Sequence, residues 1–453
     1  MAEESHGLRR DLGVWAAAAI VVGTVIGSGI FLVPKTMVQE VGSVPMVFAV
    51  WIAGGILSLA GALTYAELAA SMPEAGGEYV YLREAYGPMY GFVYAWTQLI
   101  VAKSGAIATL ATGFYLYLAN FHPALERALW TVPLPDSLGG SLPIRLGQML
   151  VIGVILGLGI LNYFGVRFGG GVQVVVTVVK VGCILAIMLA GLTGTGDAAN
   201  FGTSIPATAG MAGFFAALVA ALWAYDGWNN VTMVASEIKN PQRNLPLALI
   251  AGTAAVMLLY LGTNVAYFYI LPAAEVAAGD RVAATMMRKV LGDWGAGAVS
   301  IAAMISIFAA INGTILTGAR VPFAAARDGL FFRAIGHLHP TYRTPGVSIL
   351  VMSTWSCLLV LSGTYDFLFN LVIFGSWILY GMATASVIVL RHKKPEMYRP
   401  YRTVGYPVVP VLFVIGAICM LASTLMTRLG QSLGGLLLIL GGLPFYFYWS
   451  KRI

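Results

Sequence analysis

The sequence is poor in charge. Only 10% of its 453 residues are charged against 59% hydrophobic, and the mean hydropathy is +0.83. A soluble domain of this length would need far more charge to cover its surface. Cysteine is equally scarce: Cys183, Cys357 and Cys419 all fall in apolar stretches. None has metal-ligand spacing, and none sits in a loop where an extracellular bridge could form, so they read as inert core thiols. Also missing are a His-Glu-x-x-His zinc motif, a Gly-x-x-x-x-Gly-Lys phosphate loop and any Ser/His pair inside the apolar segments. These absences argue against an enzyme, and no cofactor or metal is expected. The polar start through Asp11 runs into a long helix without a small-residue cleavage pattern, so no cleavable signal is expected and that helix stays as a span.

What the chain does have is a series of apolar runs of about 20 residues, the length one helix needs to cross the hydrocarbon layer. Helices satisfy every backbone donor and acceptor within one segment, so an all-α polytopic membrane protein embedded in the lipid bilayer is expected. Twelve spans are read at 13–40, 45–71, 87–120, 143–163, 170–193, 210–236, 245–271, 292–326, 346–363, 366–391, 407–428 and 431–449. The connections are short, with no soluble domain or low-complexity tract. The formal net charge of +7 could suggest nucleic acid, but its placement says otherwise. Seventeen of the 26 Lys and Arg fall in connections on the side of the termini and seven on the other, with Lys103 and Lys180 inside spans. That bias follows the positive-inside rule. Both termini are therefore expected in the cytoplasm, the protein in the plasma (inner) membrane, and no nucleic-acid partner.

Two spans are interrupted. The first contains Gly23-Thr24-Val25-Ile26-Gly27-Ser28-Gly29-Ile30-Phe31, and the sixth Trp223-Ala224-Tyr225-Asp226-Gly227-Trp228-Asn229-Asn230. Glycine costs about 1 kcal/mol relative to alanine within a helix. Gly27 and Gly227 lie 200 residues apart, each in the first helix of a five-span block. Paired interruptions at matching places point to an inverted-repeat transporter with discontinuous helices. The repeats would be 13–193 and 210–391, with 407–449 appended, all within one transporter domain over 1–453.

Small residues at Gly27-Ser28-Gly29 also suit close helix packing. Beside a second break, however, they suggest unwinding that bares N–H groups at a half-helix N-terminus, where a carboxylate binds. Freed carbonyls would accept from an ammonium, giving a site for the zwitterionic head of an amino acid. Asp226, a carboxylate at mid-depth, faces either a basic partner or the cavity. Trp223 is a candidate gate over the bound solute. Lys180, ten residues into the fifth span, is too deep to snorkel and could take the place of a coupling Na⁺ against carbonyls of the first break. Lys103 could line a wet vestibule. The connector Glu237-Ile238-Lys239-Asn240-Pro241 is either a rigid solvated link or part of a gate in which Glu237 pairs with Arg320.

These segments resemble the amino acid–polyamine–organocation superfamily and, within it, the L-type amino acid transporter family. The resemblance covers essentially the whole chain and also rests on Arg243-Asn244-Leu245-Pro246 and Asn312-Gly313 before Arg320. It implies a LeuT-like 5+5 inverted repeat with two additional helices, and alternating access without Na⁺, often as exchange. It assigns the substrate to Val25, Ile26, Gly27, Ser28, Gly29, Trp223, Ala224, Asp226 and Asn229. Ser28 and Gly29 would offer amides to its carboxylate, and the carbonyls of Val25, Trp223 and Asp226 would receive its amine. Lys180 matches a fifth-helix lysine that replaces sodium, with the Gly23 carbonyl and the Thr314 hydroxyl as partners. Animal members bridge to a heavy subunit through a cysteine after the third span. Residues 121–142 contain none, so no disulfide-linked heavy subunit is expected.

The expected function is Na⁺-independent amino acid exchange by alternating access. The alternatives are proton-coupled import of cationic amino acids or polyamines, and a non-transporting membrane sensor or enzyme.

Overall fold

The computed structural model describes residues 8–133, 141–207, 210–279, 281–362, 365–427 and 429–451. Within them ten helices are long and apolar enough to cross a membrane, and two shorter apolar ones, Gly210–Tyr225 and Gly346–Ser362, stand where the sixth and ninth spans are expected.

The first span is two helices, α1 (Val14–Val25) and α2 (Gly29–Val41), followed by α3 (Val44–Ser71). A short helix α4 (Glu78–Tyr86) precedes the third span, which comprises α5 (Pro88–Thr97), a π-helical turn over Gln98–Ala102 and α6 (Lys103–Leu118). A π turn inserts one residue into an α-helix and often marks a functional site; here it ends at Lys103. The stretch after α6 departs from the all-α expectation, since β1 (Ala128–Pro133) and β2 (Ser141–Arg145) pair antiparallel. Beta-branched and aromatic residues such as Trp130, Thr131 and Val132 favour strand outside the apolar layer.

Next come α7 (Leu146–Tyr163), α8 (Val166–Thr193) and α9 (Gly210–Tyr225), then a four-residue turn and the short α10 (Asn230–Met233). The long α11 (Pro241–Ile270) starts at a proline, whose missing N–H costs nothing in a first turn. It is followed by α12 (Ala273–Ala278), α13 (Val282–Gly318) and α14 (Arg320–Arg327). Gly292 interrupts α13 with φ 68°, so the membrane part starts where the sequence placed it. The chain closes with α15 (Gly346–Ser362), α16 (Tyr365–Lys393), α17 (Val408–Thr427), α18 (Leu429–Leu440) and α19 (Leu443–Ser450). The last expected span is thus two helices with a turn between them.

The core lies where the broken helices meet their neighbours: α1 packs on α11, α8 and α13, and α2 on α9. Large aliphatic residues such as Val178, Leu258 and Leu437 face outward, as a lipid-facing surface allows. The first and last described segments lie on one face. Leu12 pairs in parallel with Ile238, and near the other end of the chain Trp449 stacks on Phe331 and meets Phe92 at the start of the third span.

Candidate substrate site

The first helix stops at Val25 and resumes at Gly29, and the second break runs over Asp226–Asn229. The breaks touch. Thr24 Oγ1 donates to the Gly227 carbonyl at 2.8 Å. Gly227 has φ 111°, a conformation a side chain rarely adopts, and a Cβ there would lie 3.0 Å from the Thr24 carbonyl. Opposite, a Cβ on Gly29 would stand 2.5 Å from Ala224 Cα, so only glycine admits this approach. Tyr260 on α11 ties the breaks together, its hydroxyl lying 3.1 Å from the Val25 carbonyl and 3.0 Å from that of Ala224. These contacts satisfy carbonyls that the interrupted helices leave without a partner.

Between the breaks is a cavity of about 30 Å³, room for about two water molecules. Val25, Gly27, Ser28, Gly29, Trp223 and Asp226 line it, as do Thr24, Gly227, Lys103, Asn230 and Thr314. Tyr380 on α16 donates to Asp226 Oδ1 at 2.9 Å, and the Lys103 ammonium lines the same cavity as Asp226.

Lys180 is fully buried, and its ammonium is surrounded by main chain: the carbonyls of Gly23 at 2.7 Å, Ile26 at 2.5 Å and Ser306 at 3.2 Å. Three donors thus meet three acceptors. Ser306 supplies the third contact, where the resemblance implied Thr314; the Thr314 hydroxyl instead donates to the Ala310 carbonyl in its own helix at 2.8 Å.

The structure sets three of the expected residues apart from the cavity wall. Ile26 turns its carbonyl to Lys180 and to Ser306 Oγ. Ala224 is packed under Gly29. Asn229 is fully buried, and its side-chain nitrogen donates to the Glu78 carboxylate, while the neighbouring Asn230 lines the cavity. Glu78 went unread in the sequence. It stands outside the apolar runs, and only its position after Gly76-Gly77, before the apolar Tyr79-Val80-Tyr81-Leu82, hinted at burial. Burial pushes its carboxyl above the ordinary range, opposed by the Lys103 ammonium. Lys103 is 2% exposed, lines the cavity and donates to Asn230 Oδ1 at 2.5 Å.

The face on which Leu12 and Trp449 lie is closed by polar contacts. Arg320 grips Glu237 with two bonds, 2.8 and 3.2 Å, and both side chains are buried. Leu12 N–H donates to the Glu237 carbonyl of the same connector and the Leu12 carbonyl accepts from Lys239 N–H. Arg83 and Tyr79 both reach Asp328.

A sequence profile of amino acid permeases matches residues 12–440. The chain belongs to the amino acid permease family. The permease is 35% identical to the serine/threonine exchanger SteT of Bacillus subtilis (strain 168), over 100% of this chain and 99% of the relative. It is 32% identical to the human b(0,+)-type amino acid transporter 1, over 99% of this chain and 91% of the relative. The human cystine/glutamate transporter is 31% identical, over 99% and 88%. The permease is therefore a multi-pass membrane protein that transports amino acids, as the sequence led us to expect.

Proposed function

We propose that the permease exchanges L-amino acids across the plasma membrane without Na⁺, by alternating access, with both termini cytoplasmic. The observation that carries this reading is the Lys180 ammonium held by three carbonyls at the first break. A fixed positive charge at that point does what a bound cation would do, which removes the need for one. The amides of Ser28 and Gly29 bind the substrate carboxylate, carbonyls at the second break take its ammonium, and Trp223 closes over it. The arrangement is a LeuT-like pair of inverted five-helix repeats, 13–193 and 210–391, with 407–449 appended; the matching breaks support it. The relative named as an exchanger, the serine/threonine exchanger SteT, supports exchange over one-way import.

Purified protein in liposomes loaded with unlabelled amino acid tests this. Uptake of labelled amino acid should depend on the internal load and stay unchanged when choline replaces Na⁺. A tenfold drop in choline would sink the Na⁺-independent reading. Proton-coupled import of cationic amino acids is the second reading, and the carboxylates of Asp226 and Glu78 near the cavity favour it; uptake into empty liposomes driven by a pH gradient would select it.

A further inference from the structure

The turn at the second break carries two asparagines in succession, each held by a buried charged side chain from a different element. Asn229 donates to the Glu78 carboxylate, whose other oxygen lies 3.4 Å from Thr232 Oγ1. Asn230 accepts from Lys103. The two bonds have opposite polarity: one amide gives an N–H to an anion, and its neighbour offers oxygen to a cation. Both charged side chains are buried, and the two charges fix which way each amide faces.

Glu78 reaches the turn from the connection between the second and third spans, which rests on the lower part of the sixth. Gly76 N–H donates to the Met233 carbonyl at 3.0 Å, and Ala75 pairs antiparallel with Val234. Lys103 comes from the other side, at the end of the π turn. The turn is clasped twice, and both clasps must release before Asn230–Met233 can leave α4 and α6. A carboxylate freed from such a clasp while still dry is costly, whereas water entering with the opening repays it.

We propose that Glu78 and Lys103 form a latch on the substrate turn. Glu78 is a positioning residue: through Asn229 it keeps the lower part of the sixth span seated and sets how readily the permease opens toward the face on which Leu12 and Trp449 lie. This rests on the alternating-access reading above.

The test uses full-length permease with its three cysteines replaced and Ala106→Cys added at the cavity wall. In oriented vesicles, a membrane-impermeant thiol reagent is applied from the face of Leu12 and Trp449. Glu78→Ala should speed labelling about tenfold, the scale of one lost hydrogen bond to a charged group. Glu78→Gln keeps an oxygen for Asn229 and should stay within about twofold. Asn229→Asp sets two carboxylates together and should label fast, and adding Glu78→Gln to it, which restores a donor–acceptor pair, should slow labelling again. That rescue pair carries the test if Glu78→Ala aggregates. Parental labelling of a folded Glu78→Ala, or no rescue of Asn229→Asp, overturns the latch. Labelling needs neither substrate nor flux, so a failed exchange assay beside the expected labelling pattern defeats only the transport mode.

Discussion

Replacing Lys180 with alanine removes three hydrogen bonds at once, but the structure says they are not equal. Ile26 O keeps a second donor, Ser306 Oγ at 3.0 Å. Ser306 O belongs to the interior of α13, where the helix itself supplies a donor. Gly23 O is different: α1 ends at Val25, so no following turn reaches it. The loss therefore concentrates on one carbonyl, about 1.5–3 kcal/mol for a bond to a charged group, with a smaller share from the other two. A total near 3 kcal/mol lowers the population of the correctly shaped break about 100-fold. The exchange rate should fall by about that factor. Folding should suffer less, because Thr24 and Tyr260 still tie the two breaks together. Initial exchange rates in liposomes, normalised to protein that elutes as a single species, measure this. Lys180→Met, which keeps most of the volume without the donors, should behave like alanine. A folded Lys180→Ala that exchanges within about twofold of the parent would refute the reasoning.

Tyr260→Phe loses the one O–H shared by the Val25 and Ala224 carbonyls and should raise the substrate KM about fivefold, at about 1 kcal/mol for that bond; an unchanged KM would show that the tie does not shape the site. Gly227→Ala combines a φ of 111° with a contact at 3.0 Å, and should abolish exchange and lower the thermal midpoint of the purified protein; a parental midpoint would contradict the geometry. Glu237→Ala leaves Arg320 buried and uncompensated, a cost of about 3–5 kcal/mol, while replacing both residues by methionine should recover most of the lost thermal stability. If the double variant is no more stable than the single, the pair is not what makes Glu237→Ala costly.

The sequence revealed both breaks because glycine and a lone carboxylate stand out within an apolar run. Lys180 was legible for the same reason, and so was the pairing of Glu237 with Arg320, two charges near the ends of apolar segments. The facing of Asn229 and Asn230 was not legible. Helical periodicity assigns faces only where the helix continues, and Asn229 ends a four-residue turn while Asn230 begins the helix after it. Glu78 escaped because it lies in a connection, where an acid normally meets water, and only the fold carries it inward. Tyr260 and Tyr380 looked like ordinary span aromatics, since nothing local marks a hydroxyl that reaches another helix. The pairing of Ala128–Pro133 with Ser141–Arg145 was not legible, its strand-forming residues being few, and the fourth span, expected from 143, begins as helix at Leu146.

The π turn at Gln98–Ala102 decides where the Lys103 charge points. Successive residues of a regular helix are rotated by about 100°, so one surplus residue turns everything that follows by that angle. Deleting a single residue there would leave the third span equally apolar and almost equally long, yet swing the ammonium off the Asn230 side. For this permease, the azimuth of one positive charge is encoded in the length of a helix and not in the identity of any side chain.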